Sequence, residues 1–258
     1  MKKLIVFAAS TLICLASTFA QKIPEDRDIL PVVLEFASEK ESWTEGELLV
    51  ADITKNEYVI TGNVVTKAAV GFQNRTYTVS ISRTDTDLIV SVSDMSTIEC
   101  DKDGLPLKTA IRKVSTKKQT DKQASIITKD LSKRLTYWGD EEYSEKLAKA
   151  LTSPVILSNI SKQSALVFNK FVTDNRIVGK VTEFQMDVVS VDSNTIVGQA
   201  FCGYKTGSGG IPKPEYVTVT VIAKNPAAAA GETYNVKGTI KDVQRGAKGG
   251  LASIQIAE

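Results

Sequence analysis

The 258-residue sequence predicts an α+β protein in which an antiparallel meander covered by helices is followed by a five-stranded β-barrel. Three stretches of distinct hydrophobic period carry this reading. Apolar residues alternate with polar ones between about residues 47 and 93, which is the pattern of strands with one buried face. A period of 3.6 takes over after about residue 120, and alternation returns beyond Thr173-Asp174-Asn175. The chain accordingly divides into a signal segment over 1–20, an α+β domain over 21–173 and a barrel domain over 174–258.

The first twenty residues read as an export signal. Lys2 and Lys3 precede an apolar run from Leu4 to Ala16, and Ser17-Thr18-Phe19-Ala20 supplies small residues for a cut after Ala20. The run is too short for a bilayer span, which takes about 20 residues. Cys14 lies within it but follows Leu12-Ile13, whereas lipoprotein processing requires small residues. The mature chain is therefore expected to start near Gln21, without a transmembrane span, in the periplasm or cell envelope.

Residues 29–36 fit either a helix or a strand. Strands are expected at Glu47–Thr54 and Tyr58–Val65. Two more are expected where Tyr77, Val79 and Ile81, then Leu88, Val90 and Val92, alternate with Thr, Ser and Asp. Ile127, Leu131, Leu135 and Trp138 occupy one face of a helix that Gly139 ends. Asp140 can cap the next helix, with Tyr143, Leu147, Ala150 and Leu151 inward. Ser153-Pro154 reads as an N-cap and first residue of a third helix, running to about Val172 and burying Ile156, Ile160, Leu166 and Phe168 or their neighbours.

The carboxy-terminal part offers five strands, at 176–189, 195–203, 216–223, 233–243 and 252–257. Within the first, Ile177, Gly179 and Val181 set one phase, and Phe184, Met186 and Val188 set the other. Within the fourth, Tyr234, Val236, Gly238 and Ile240 give way to Val243. A phase change inside one strand marks a bulge or sharp coil that lets it serve both sides of a closed barrel. The strings Arg176-Ile-Val-Gly-Lys-Val-Thr-Glu-Phe, Gly231-Glu-Thr-Tyr-Asn-Val-Lys-Gly-Thr-Ile-Lys-Asp-Val and Ala252-Ser-Ile-Gln-Ile-Ala resemble the first, fourth and fifth strands of an OB-fold barrel. The region is similar to small OB domains of exported bacterial proteins of unknown function. The resemblance covers about a third of the chain and implies an OB-like barrel. It departs from the pattern between strands three and four, where Asn225 to Gly231 leave room for one helical turn or none.

OB barrels often bind oligosaccharides or oligonucleotides on the face of strands two and three. The candidate ligand-binding set on that face is Lys180, Phe201, Tyr204, Lys205, Lys213 and Tyr216, although Phe201 and Tyr216 fit the barrel core equally well. Nucleic acid is disfavoured as a partner, because Lys2 and Lys3 are the only charged residues of the signal and the mature chain is left with zero net charge. Charge is unevenly placed, however. Residues 102–134 carry ten bases and three acids, and Lys108, Arg112, Lys113, Lys117 and Lys118 form a candidate anion patch.

Histidine is absent, which excludes Ser-His-Asp and Cys-His nucleophile systems and every His-bearing metal site. After cleavage Cys100 and Cys202 remain; in an oxidising compartment they can form a disulfide, or they are two separate buried thiols. Gly207-Ser-Gly-Gly210 and Gly246-Ala-Lys-Gly-Gly250 lack P-loop spacing. Asp101-Lys-Asp103-Gly104 opens like a calcium loop but lacks the later ligands. Ser115-Thr-Lys-Lys118 has Ser-x-x-Lys spacing without a strand-to-helix setting. No metal or cofactor is expected. The reading is a non-enzymatic exported protein that binds another envelope component, protein or glycan. A carbohydrate- or anion-binding module using the barrel face and the basic stretch 108–134 is the alternative, and a histidine-independent enzyme is the third class.

Overall fold

The structure is a computed structural model that describes residues 19–39, 45–52, 55–206, 212–224 and 226–258. The apolar run of the expected export signal lies outside the described residues.

Six strands form the first sheet, in the order β1 (Phe19–Lys22), β5 (Asp87–Cys100), β4 (Phe72–Thr84), β3 (Glu57–Lys67) and β2 (Glu45–Asp52), with the two-residue β6 (Lys113–Val114) also beside β5. Every pairing in it is antiparallel. The alternation expected of the meander is present in the fold. Tyr58 and Ile60, Tyr77, Val79 and Ile81, and Leu88, Val90 and Val92 all point into one core. The opposite face carries hydroxyls, and Thr76 bonds Ser96 across it at 2.9 Å.

Helices close the apolar face. α1 (Leu30–Ser38) has Pro31 in its first turn, where the missing N–H costs nothing, and settles the ambiguity of 29–36 as helix. α2 (Lys117–Tyr137) starts at Thr116, whose backbone N–H donates to Gln119 Oε1 at 2.8 Å. Its buried face is Ala124, Ile127, Leu131 and Leu135, with Trp138 just beyond. α3 (Asp140–Thr152) begins with Asp140, Glu141 and Glu142, a placement that favours the positive end of its dipole; Gly139, not Asp140, is the capping residue. Buried Arg27 staples the α2–α3 corner. It donates to the carbonyls of Leu135 (2.6 Å) and Trp138 (2.5 Å) and to Asp140 Oδ1 (2.8 Å), and its guanidinium lies 5.0 Å from the Tyr143 ring centre.

The single helix expected over 154–172 is two helices, α4 (Pro154–Ser161) and α5 (Ala165–Asp174). Ser164 caps the second, its hydroxyl accepting from Val167 N–H at 3.2 Å. Ile156, Ile160 and Phe168 are buried as expected, whereas Leu166 is 77% exposed. Leu157, Ile160 and Phe168 pack into the core of the barrel, and Leu151 and Phe171 touch both cores.

The remaining strands close a barrel in the order β7 (Val181–Asp192), β8 (Thr195–Thr206), β9 (Pro212–Ile222), β11 (Leu251–Ala257) and β10 (Thr233–Arg245), which returns to β7. β9 and β11 run parallel; the other pairs are antiparallel. The first strand starts at Val181 rather than Arg176. Arg176 (φ 48°) and Gly179 (φ 97°) are left-handed and form a turn, and Val181 faces solvent. The phase change expected in the fourth strand is present, with a register shift between Ile240 and Asp242 and with Ile240 and Val243 both inward. The phase change expected between Val181 and Phe184 is absent, because the chain turns before β7 and Thr182, Met186 and Val188 keep one inward phase; the register shift of β7 against β8 falls between Val188 and Ser190. No helix occupies the described residues between β9 and β10.

Candidate binding face on the barrel

On β8, Ile196, Ala200 and Cys202 point into the barrel, and on β9 so do Val217, Val219 and Val221. The residues between them face outward. Phe201 and Tyr216 are direct cross-strand partners, 40% and 49% exposed, with ring centres 6.1 Å apart and planes at 77°. This edge-to-face geometry is favourable for aromatic pairs. Just beyond them the register shifts between Phe201 and Gly203, where Gly203 takes φ 133°, a value that side chains avoid.

The inward phase of β9 reaches the end of the barrel at Glu215. A carboxylate there needs a cation, and Lys162 at the end of α4 meets it, Nζ to Oε2 at 2.6 Å. The pair borders a cleft of about 430 Å³. Ser158 and Lys162 form its helical side, Gln199 and Tyr216 its strand side, and Gly249 and Gly250 its third wall. That wall is fixed by Arg245, whose Nε donates to Ser161 O (2.7 Å) and Nη2 to Gln163 O (2.8 Å), while Gly250 N–H donates to Ser161 O at 3.1 Å. Ser161 O is a carbonyl that the end of α4 leaves without an intrahelical donor, and Gln163 O lies in the link to α5.

Of the residues proposed from sequence, Phe201 and Tyr216 come together, and Lys213 is exposed further along β9. Tyr204 and Lys205 lie in backbone register with Pro214 and Lys213. Lys180 does not join them. It lies in the turn before β7, where its carbonyl accepts from Ile240 N–H on β10. Lys162, Glu215, Ser158 and Arg245 were not foreseen, because nothing local says that α4 docks on β8.

The anion-patch residues belong to the meander. Lys108, Arg112, Lys113, Lys117 and Lys118 are all exposed, on the segment between β5 and α2 and on the first turn of α2. Arg112 is tied to the sheet through Nη1, which donates to Thr76 Oγ1 (3.0 Å) and Ser96 Oγ (2.8 Å). Cys100 in β5 and Cys202 in β8 are buried thiols, not joined to each other, and burial pushes the Cys100 thiol up. Asp101 closes a plain turn, its Oδ1 accepting from Asp103 and Leu105 N–H at 2.9 Å each.

A second cavity, about 410 Å³, lies where α1, α3 and α5 meet; Leu30, Leu151 and Phe171 line it beside Asp28, Lys170 and Asp174. Burial holds the Asp28 carboxyl above its ordinary 3.8, against the Leu30 N–H it accepts from. Among the described residues no group of three or more His, Cys, Asp and Glu side chains is placed to hold a metal ion, and no helix is long and apolar enough to cross a membrane.

No protein-family model matches the chain, and no curated protein does. Among solved structures it is similar to a TBP-like protein from Parabacteroides distasonis at 12% identity and a TM-score of 0.34, over 47% of this chain and 92% of that one. It is also similar to a DUF4468 family protein from Bacteroides ovatus at 10% identity and a TM-score of 0.29, over 53% of this chain and 85% of that one.

Proposed function

We propose that this is an exported, non-enzymatic binding protein of the bacterial cell envelope, and that its barrel is an OB fold whose outer β8–β9 face takes a glycan. Strand order supports the OB assignment: first, second, third, fifth and fourth strands in sequence around the barrel, with the third and fifth parallel. The observation that carries the ligand reading is the exposed Phe201–Tyr216 pair beside the cleft. Sugar rings offer apolar C–H faces and many hydroxyls, so a receptor needs aromatic surface and polar partners together. Here Tyr216 supplies the first, and Ser158, Gln199 and the Lys162–Glu215 pair supply the second. Because Lys162 is already neutralised by Glu215, a neutral polar ligand fits this cleft better than an anion.

The test is calorimetric titration with soluble, neutral oligosaccharides of N-acetylglucosamine. Phe201→Ala and Tyr216→Ala should each weaken binding by about ten-fold or more, since each removes an apolar contact worth roughly 1.5–3 kcal/mol. Each substitution also breaks the edge-to-face pair, so the melting temperature should fall by only a few degrees while the fold is kept. Binding that is unaffected by either substitution, or no binding by the parent protein, refutes the glycan reading.

A further inference from the structure

Loop 101–116 is pinned to the end of the first sheet and yet leaves its aliphatic side chains in water. Backbone pairings bring its tip beside the β3–β4 hairpin: Lys67 pairs with Phe72, Phe72 with Cys100, and Cys100 with Pro106. Asn74 Nδ2 donates to Gly104 O at 3.2 Å, Leu107 N–H to Glu99 O at 3.1 Å, and Ser115 N–H to Met95 O at 2.8 Å. Gly104, at φ 85°, makes the sharp reversal that this course requires. A loop fixed at so many points has a defined outer surface.

The exposed side chains of this loop and of the hairpin tip are apolar and basic. Val70 at the hairpin tip is 91% exposed, Leu105 65%, Ile111 77% and Val114 83%. Single exposed aliphatics are ordinary, but several on one pinned loop and the adjoining hairpin tip mark a contact site. Residues 104–118 hold five bases and no acid. Of these, Lys108, Lys113, Lys117 and Lys118 are exposed and form no ion pair among the described residues. A soluble polyanion would engage the bases and leave the aliphatics wet, whereas an apolar protein groove would leave the bases uncompensated. An anionic bilayer surface satisfies both, taking aliphatic side chains at the acyl boundary and lysines among the headgroups.

We propose that loop 104–118 and the β3–β4 hairpin tip dock the protein onto an anionic membrane surface. The proposal is independent of the barrel-face reading and stands or falls without it. Its test is co-sedimentation of the full-length chain with phosphatidylcholine vesicles, with and without phosphatidylglycerol. Lys2 and Lys3 beside the N-terminal apolar run also respond to anionic lipid, so the quantity read is the gain of each loop variant against that of the parent chain. Phosphatidylglycerol should raise the bound fraction. Lys117→Ala with Lys118→Ala should lower the gain about 25-fold, at about five-fold per base near a charged surface. Leu105→Ser with Ile111→Ser should lower it by at least ten-fold with the melting temperature unchanged. Equal binding to both vesicles overturns the proposal. So does a gain that survives the serine substitutions while the lysine variant abolishes it, because that result identifies a polyanion site without membrane insertion.

Discussion

Arg245→Met is the substitution that most directly probes how the barrel cleft is built. Arg245 is half-buried at the end of β10, and its fork spans Ser161 O and Gln163 O. A hydrogen bond from a charged donor contributes about 1.5–3 kcal/mol when buried. With the discount that partial exposure demands, the two together are worth about 2–3 kcal/mol. Methionine keeps most of the aliphatic stem and its packing, so the loss reports the bonds rather than a cavity. For a protein of this size, that corresponds to a fall in melting temperature of about 5–10 °C. Urea titration followed by circular dichroism measures the cost. Amide exchange at Gly250, whose N–H shares Ser161 O with the arginine, locates it. Lysine at this position should recover less than half, because one ammonium does not present the same fork. A cost below about 0.5 kcal/mol, the range of an ordinary surface change, together with unchanged protection at Gly250, would refute the clamp.

Two further outcomes can be measured simply. The raised Asp28 carboxyl means that its stabilising contribution is complete below the ordinary value of 3.8 and is lost as pH rises through the higher folded value. Asp28→Asn, whose amide oxygen can still accept from Leu30 N–H, should therefore raise the melting temperature at pH 7 and leave it nearly unchanged at pH 3; a fall at pH 7 contradicts this. Intact mass of the protein recovered from its cell envelope should correspond to a chain starting at Gln21. Such a cut falls inside β1 and leaves Gln21 and Lys22 opposite Leu88 and Asp87, so a mass that retains Phe19 and Ala20 rules it out.

How legible each element was in the sequence depends on how local its cause is. The meander could be read because Val79 and Ile81, or Leu88 and Val90, bury one face while Ser and Thr occupy the other, and that choice is made residue by residue. The α2 face could be read for the same reason. The break between α4 and α5 could not, since two of its causes, Arg245 and Gly250, come more than 80 residues later in the chain. The turn before β7 was hidden too: Gly179 signals a left-handed residue, but Arg176 adopts one without any such mark. On the barrel, alternation alone left open whether Phe201 or its neighbours faced inward, because small Ala200 and Cys202 carry little phase signal. The structure decides it by placing both of them inside.

The two surfaces singled out here differ in how their charge is compensated, and that difference argues for two separate kinds of contact. At the barrel mouth the chain supplies its own counterion: Glu215 ends the inward phase of β9, and α4 brings Lys162 to it. An arriving anion would have to compete with that carboxylate, and an arriving cation with that lysine, which is why a neutral ligand is proposed for the cleft. Along 104–118 the chain supplies no acid against five bases, although Asp103 and Asp121 flank the segment. The Asp101 carboxylate is occupied in its own turn, and Asp130 is held by Arg134 at 2.8 Å. On the proposed docking surface, the positive field of that loop would meet anionic headgroups and its aliphatic residues the apolar layer just beneath them.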